Sequence, residues 1–157
     1  DVSVSSTKIR IDLKNGNLKT ANKYLGYNYM LSGDVVSGKR LGGKIGFPTA
    51  NIKIKEPYKL IPSMGVYIIR TQINNELFHG IMNISYNPTV LGKQQTIEAH
   101  LFEFNGDLYG KRITVEFLYF LREEQKFKSI KELIAQLNID KEKIIIKFIL
   151  ILGIYYY

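Results

Sequence analysis

Two neutral oxygen donors, Thr49 and Asn51, stand at alternate positions in the stretch Gly46-Phe47-Pro48-Thr49-Ala50-Asn51. Positions i and i+2 of an extended segment point to the same side. A hydroxyl and a carboxamide oxygen side by side make a hard, uncharged site. Such a site suits Mg²⁺ when nucleotide phosphates bring the negative charge and water completes the shell. The same residues also fit an ordinary Asn/Thr turn after a proline. Just upstream, Gly38, Gly42, Gly43 and Gly46 are interleaved with Lys39, Arg40 and Lys44. Glycines let a backbone approach phosphate and expose its N–H groups. The G-K-[ST] ending of a Walker A loop is absent, and a bulge or turn in a β-protein would use glycines in the same way.

Glu98 is the candidate base. In Thr96-Ile97-Glu98-Ala99-His100-Leu101-Phe102-Glu103-Phe104, Ile97, Ala99 and Leu101 alternate with Glu98, His100 and Phe102. The alternation predicts a strand with Glu98 and His100 on one face, turned either to solvent or to a pocket. In a pocket beside a phosphate donor, the carboxylate can accept a hydroxyl proton during transfer. A third stretch, Leu121-Arg122-Glu123-Glu124-Gln125-Lys126-Phe127, joins the last strand to a helix. Arg122 and Phe127 there can stack on or clamp a planar ligand, or belong to a charged surface loop closed by a core Phe.

The elements that must position these residues are mostly strands. Residues 5 to 26 read as two short helices. Ser5 or Ser6 caps the first, with Ile9 and Leu13 on one face and Gly16 at its end. Asn17 caps the second, with Leu18, Ala21 and Leu25 inward and Gly26 as its stop. From about residue 29 the pattern turns to strands. Asn74-Asn75 is a hairpin turn between two of them, and Asn105-Gly106 signals another. Several strands joined by short turns predict an antiparallel barrel rather than a βαβ sheet. Ser129 and Glu132 form a capping box ahead of Leu133, Ile134 and Leu137, and Asp140 is read as the start of a last helix.

Composition narrows the chemistry. The chain has 157 residues and is 45% hydrophobic, enough for one domain with its own core. It has no Cys and only His79 and His100, which excludes disulfides, thiolate zinc and a polyhistidine metal centre. These absences fit a cytoplasmic protein. The 22 Lys and Arg against 14 Asp and Glu give +8. That balance fits nucleic acid, a membrane surface, a phosphorylated substrate or a Lys-rich solvated surface. The lysines are scattered, and the strands lack the interleaved basic and aromatic residues of a nucleic-acid barrel. The final stretch "IIIKFILILGIYYY" is apolar, short for a membrane span, and contains Lys147. It is read as a last helix on the core with a tail. The chain opens on Asp1, without a Met, as expected of a fragment or a processed product.

These residues together resemble the riboflavin kinase family, specifically the C-terminal kinase module of bacterial bifunctional riboflavin kinase/FAD synthetases. The likeness runs from about residue 29 to 143. It rests on "SGDVVSGKRLGGKIGFPTAN", "GVY", "NISYNPTV" and "IEAHLFEFNGDLYGKRITVEFLYFLREEQKF", in that order. The resemblance implies a mainly β fold: a six-stranded antiparallel Greek-key barrel with a C-terminal helix over one end and short N-terminal helices. It implies transfer of the ATP γ-phosphoryl group to the 5′-hydroxyl of riboflavin, giving FMN and ADP. Thr49 and Asn51 would contact Mg²⁺ and the phosphates, and Glu98 would be the general base. Gly38, Lys44, Gly46, Leu101, Glu103 and Tyr109 would serve ATP, and Arg122, Gln125 and Phe127 the flavin.

The sequence departs from the pattern in places. Gly43 stands where the family often has Arg or Lys, with Lys44 one place along. Ser85 replaces the usual glycine after Asn83-Ile84, and Tyr86 a small residue. "VSSTKIR", residues 4 to 10, is similar to the closing motif of the adenylyltransferase module in the same enzymes. Residues 1–27 are therefore expected to be a vestige of that module with linker helices, 28–147 the kinase barrel and helix, and 148–157 an apolar tail. The expected partners are riboflavin/FMN and ATP/ADP, without nucleic acid or membrane. The expected unit is a monomer, normally fused to the adenylyltransferase, making FMN but no FAD. A catalytically weak flavin-binding barrel is the alternative.

Overall fold

The computed structural model describes residues 6–36 and 49–152, with side chains through 147. By its internal contacts the chain divides into two compact units, Asp1–Glu124 and Gln125–Tyr157.

The first unit opens with α1 (Ser6–Lys14) and α2 (Leu18–Leu25). Asn17 holds the N-cap position of α2 without a side-chain cap bond. Gly26 ends the helix in the left-handed region, φ 80°, and its N–H donates to the Asn22 carbonyl. Leu13, Leu18 and Ala21 are buried in the same core cluster as the strands. Asn22 ties the helix down, donating from Nδ2 to the Phe117 carbonyl at 3.0 Å. The two helices thus complete the core of the barrel unit, whatever their ancestry.

Six strands follow: β1 (Met30–Val36), β2 (Thr49–Lys53), β3 (Gly65–Ile73), β4 (Glu76–Thr89), β5 (Gly92–Leu101) and β6 (Arg112–Arg122). They close a barrel in the order β1-β2-β5-β4-β3-β6, every pairing antiparallel. The consecutive β3, β4 and β5 with β6 beside β3 form a Greek key, as expected. The interior is filled by alternate residues, among them Tyr67 and Ile69 on β3, Met82 and Ile84 on β4, Ile97, Ala99 and Leu101 on β5, and Val115 and Phe117 on β6. Tyr67 meets Phe117 edge to face at 5.3 Å and donates its hydroxyl to the Ser63 carbonyl at 2.7 Å, so its polar tip is satisfied despite burial.

The Asn74-Asn75 turn forms as read. Both residues have positive φ, 51° and 64°, between paired Ile73 and Glu76. That is the type I′ requirement. The Asn105-Gly106 reading needs correction: a turn is there, with Gly106 at φ 148°, but β5 and β6 are not neighbours. β5 pairs with β2 and β4, and β6 with β1 and β3. An Asn-Gly step reports a local reversal, and here the chain crosses to another part of the barrel. The hairpin that does carry β5 turns at Val90-Leu91, between paired Thr89 and Gly92.

Gly80 lets β4 close onto the strand that carries Glu98 and His100. A Cβ at this position would lie 2.1 Å from the His100 carbonyl oxygen, a backbone atom that no rotamer change can move aside. Gly80→Ala is therefore expected to lower stability by about 1–3 kcal/mol or more, read as a fall in the urea midpoint. An unchanged midpoint would mean that β4 and β5 do not approach this closely.

In the second unit, α3 runs unbroken from Ile130 to Leu152. The expected restart at Asp140 does not occur. No Gly or Pro interrupts the segment, and Gln136 Nε2 donates to Asp140 Oδ1 one turn on, at 3.0 Å. Asp140 is thus a buried i+4 partner rather than a cap. The capping residues do their work at the helix start: the Glu132 N–H donates to Ser129 Oγ at 3.2 Å, and the Lys128 N–H to Glu132 Oε2 at 2.9 Å. Among the described residues no helix is long and apolar enough to cross a membrane. The side chains of the expected tail, 148–157, lie outside those described.

Candidate active site

The barrel register brings the sequence-predicted residues into one row. On β2 and β5, Thr49 stands opposite His100 and Asn51 opposite Glu98. On β5 and β4, Glu98 stands opposite Asn83. Asn83 in turn faces Val66 on β3, and Val66 faces Arg122 on β6. Directly opposed residues of antiparallel strands project from the same face. Ala50, Ala99 and Met82 fill the interior on the alternate positions, so Asn51, Glu98 and Asn83 share the outer face. Strands in a sheet lie about 4.8 Å apart. Asn51 and Asn83 thus flank Glu98 one strand away on either side, while Arg122, on β6, is three strands from Glu98 in either direction round the closed barrel.

Thr49 is held in place. Its Oγ1 lies 3.2 Å from Nδ1 of His100, a buried side chain on the next strand. The alternation that put Glu98 and His100 on one face therefore gives them different tasks. Glu98 is half-buried and central in the row, and His100 orients the hydroxyl beside it. Thr49 and Asn51 present two neutral oxygens on one side of β2, the donor set expected for a metal that arrives with its own anionic ligands. Among the described residues no group of three or more His, Cys, Asp or Glu could cage a metal alone, so phosphate oxygens or water would have to fill the remaining positions.

Asn83 was not singled out by the sequence. Its carboxamide Oδ1 is buried and lacks a hydrogen-bond partner among the described residues. A buried acceptor left unpaired costs about 1–3 kcal/mol. The motif "NIS" contained it, but only the strand order shows that it adjoins Glu98.

The remaining candidates are distributed as follows. Leu101 faces the barrel interior as a member of the core cluster, on the other side of β5 from Glu98. Glu103, at φ 59°, and the exposed Tyr109 lie in the crossover between β5 and β6. The Tyr109 N–H donates to Asp107 Oδ1 at 2.9 Å. That crossover joins the barrel end where β2 begins with Thr49, because β2 and β5 are antiparallel. Gly38, Lys44 and Gly46 lie outside the described residues. In the second unit, Gln125 and Phe127 line an open cleft of about 440 Å³ with Glu132, Gln136 and Ile139.

Two guanidiniums on the strands are held in ion pairs. Arg70 pairs with Glu116 at 2.6 Å, and Arg112 with Glu56 at 2.9 Å. Arg70 and Asn28 hydrogen-bond to the Glu116 carboxylate, and these outweigh burial and hold its pKa below the usual glutamate range.

Comparison with known proteins gives the family of the chain. The family model described as "Flavokinase: Riboflavin kinase" matches residues 25–148. The chain belongs to the riboflavin kinase family. The match contains every candidate residue of the row. A bifunctional riboflavin kinase/FMN adenylyltransferase of Bacillus subtilis is 41% identical over 148 residues, covering 92% of this chain and 46% of that protein. Its counterpart from Haemophilus influenzae is 40% identical, covering 88% and 45%. The chain thus spans less than half the length of these curated relatives. Among solved structures, a Streptococcus pneumoniae chain described as a macrolide-efflux protein superposes with a TM-score of 0.83 at 35% identity, covering 88% of this riboflavin kinase family member and 45% of that chain.

Proposed function

We infer that the chain phosphorylates riboflavin at its 5′-hydroxyl with ATP, giving FMN and ADP. The observation that carries this reading is the register of β2 on β5, which sets a carboxylate, Glu98, directly beside the oxygen pair Thr49 and Asn51. In the reaction, the 5′-oxygen attacks the γ-phosphorus as its proton passes to the Glu98 carboxylate. The new O–P bond forms as the bond from the γ-phosphorus to the bridging oxygen breaks, and ADP leaves with that oxygen. Phosphoryl transfer asks little more of a protein than position and charge neutralisation. Thr49 and Asn51 would hold Mg²⁺ that arrives on ATP, and the ion would neutralise the phosphate oxygens. Gly38, Lys44 and Gly46 are assigned to the nucleotide, with Leu101, Glu103 and Tyr109. Arg122, Gln125 and Phe127 are assigned to the flavin. This is a cytoplasmic enzyme of dissolved substrates.

Incubation of the purified chain with riboflavin, ATP and Mg²⁺, followed by chromatographic separation of riboflavin, FMN and FAD, is expected to yield FMN alone. Riboflavin binding by a folded protein without any FMN would overturn the kinase reading in favour of a flavin-binding barrel.

A further inference from the structure

We propose that Gln136 recognises the imide edge of the flavin ring, its Oε1 accepting a hydrogen bond from the ring N–H at N3, while Asp140 holds the carboxamide in the orientation this needs. The inference deepens the kinase reading and rests on riboflavin as its acceptor. Three observations carry it, all within the second unit. First, Gln136 and Phe127 line the same open cleft of about 440 Å³. That is an ordinary size for a small-molecule site, and an aromatic wall suits a planar ring. Second, Gln136 donates from Nε2 to Oδ1 of Asp140 at 3.0 Å. Third, Asp140 is fully buried, so the group that fixes the carboxamide is itself fixed.

A carboxamide can turn over and exchange its donor end for its acceptor end, so what it recognises depends on what holds it. A carboxylate offers acceptors alone. The Nε2 end of Gln136 therefore belongs at Asp140, and the opposite end, Oε1, is left to accept. Oε1 has no donor among the described residues. The matching ligand group is an N–H. The isoalloxazine ring of riboflavin carries one N–H, at N3, between two carbonyls. Gln125 and Lys126 line the same cleft, and their N–H groups are donors of the kind those carbonyls take. Glu132, the other acceptor on the cleft, receives the Lys128 N–H on Oε2 at the helix start. The contact also selects for substrate, because a site built to hydrogen-bond an N–H rejects an analogue lacking it.

The test compares riboflavin with 3-methylriboflavin, which carries a methyl group in place of that hydrogen, in the wild type, Gln136→Leu, Asp140→Asn and Glu132→Gln. Flavin affinities come from fluorescence quenching, which needs no turnover, and FMN formation and KM for ATP are measured alongside. The wild type is expected to bind riboflavin about tenfold or more tightly than the methylated flavin. Gln136→Leu is expected to shrink that preference to within about twofold, weakening riboflavin while KM for ATP stays put. Asp140→Asn is expected to fall between, since a carboxamide there no longer dictates which end of Gln136 faces it. Glu132→Gln, which keeps the capping box, is expected to retain the full preference. A wild type that binds both flavins equally overturns the inference without any variant. So does a folded Gln136→Leu protein that retains the preference, a Glu132→Gln protein that loses it, or a Gln136→Leu enzyme whose KM for ATP rises as far as its riboflavin affinity falls. A wild type that tells the two flavins apart but forms no FMN upholds the contact and overturns the kinase reading. FMN formation without the preference overturns this inference alone.

Discussion

Glu98→Gln is expected to lower kcat by about 10²- to 10⁴-fold while riboflavin and nucleotide still bind with nearly their original affinities. The substitution keeps the shape of the side chain and removes its capacity to take a proton. Its setting makes it a clean probe. Glu98 lies in the middle of β5, opposed on both sides by carboxamides, Asn51 and Asn83. Glutamine matches glutamate in size and shape, so the packing of the row changes little. The interior side of the strand, Ile97, Ala99 and Leu101, is untouched. A proton acceptor acts only while the proton is moving, so its loss falls on turnover and spares ground-state binding. Flavin fluorescence quenching and a nucleotide titration measure the two affinities, and FMN formation at saturating substrates measures kcat. Equal loss of binding and turnover would sink the general-base role and make Glu98 a ligand-holding residue instead.

Glu98 was legible because chemistry and periodicity coincide there. A carboxylate alternating with Ile97, Ala99 and Leu101 fixes its face once the strand is granted. The same alternation places Thr49 with Asn51. It also places Leu101 inside the barrel, so the assignment of that residue to the nucleotide draws on resemblance and not on its position. Asn83 was illegible for the complementary reason. Its importance depends on β4 lying beside β5 and on the register between them, and both are properties of the closed barrel rather than of either strand. Local signals likewise gave local truths. Asn74-Asn75 specified its turn because two successive left-handed residues are costly for most side chains and cheap for Asn. Asn105-Gly106 also marked a turn but carried no information about where the next strand would pair. The β4–β5 hairpin turns through Val90 and Leu91, both fully exposed, and apolar turn residues announce nothing. Asp140 imitated a helix start because its residue type favours caps, yet the uninterrupted helix and its bond from Gln136 put it in mid-element.

Thr49→Ala is expected to raise KM for Mg-ATP by roughly tenfold or more and to leave the affinity for riboflavin within about twofold, since a hydrogen bond or ligand contact to a charged group contributes about 1.5–3 kcal/mol. Thr49 stands on β2, next to β5 on the side away from β4 and Asn83. Its hydroxyl is already held by Nδ1 of the buried His100 at 3.2 Å. A hydroxyl has two lone pairs and one hydrogen, so the bond to His100 fixes its direction and leaves oxygen capacity for a cation. Removing the hydroxyl takes away one ligand and also leaves His100 without this partner, so the variant needs a stability control. Thr49→Ser separates the two effects, because it restores the oxygen and loses only a methyl group. Recovery of Mg-ATP affinity in Thr49→Ser, together with partial rescue of Thr49→Ala at raised Mg²⁺, would locate the defect at the cation. A loss of riboflavin affinity larger than the loss for Mg-ATP would put the acceptor, not the nucleotide, at Thr49.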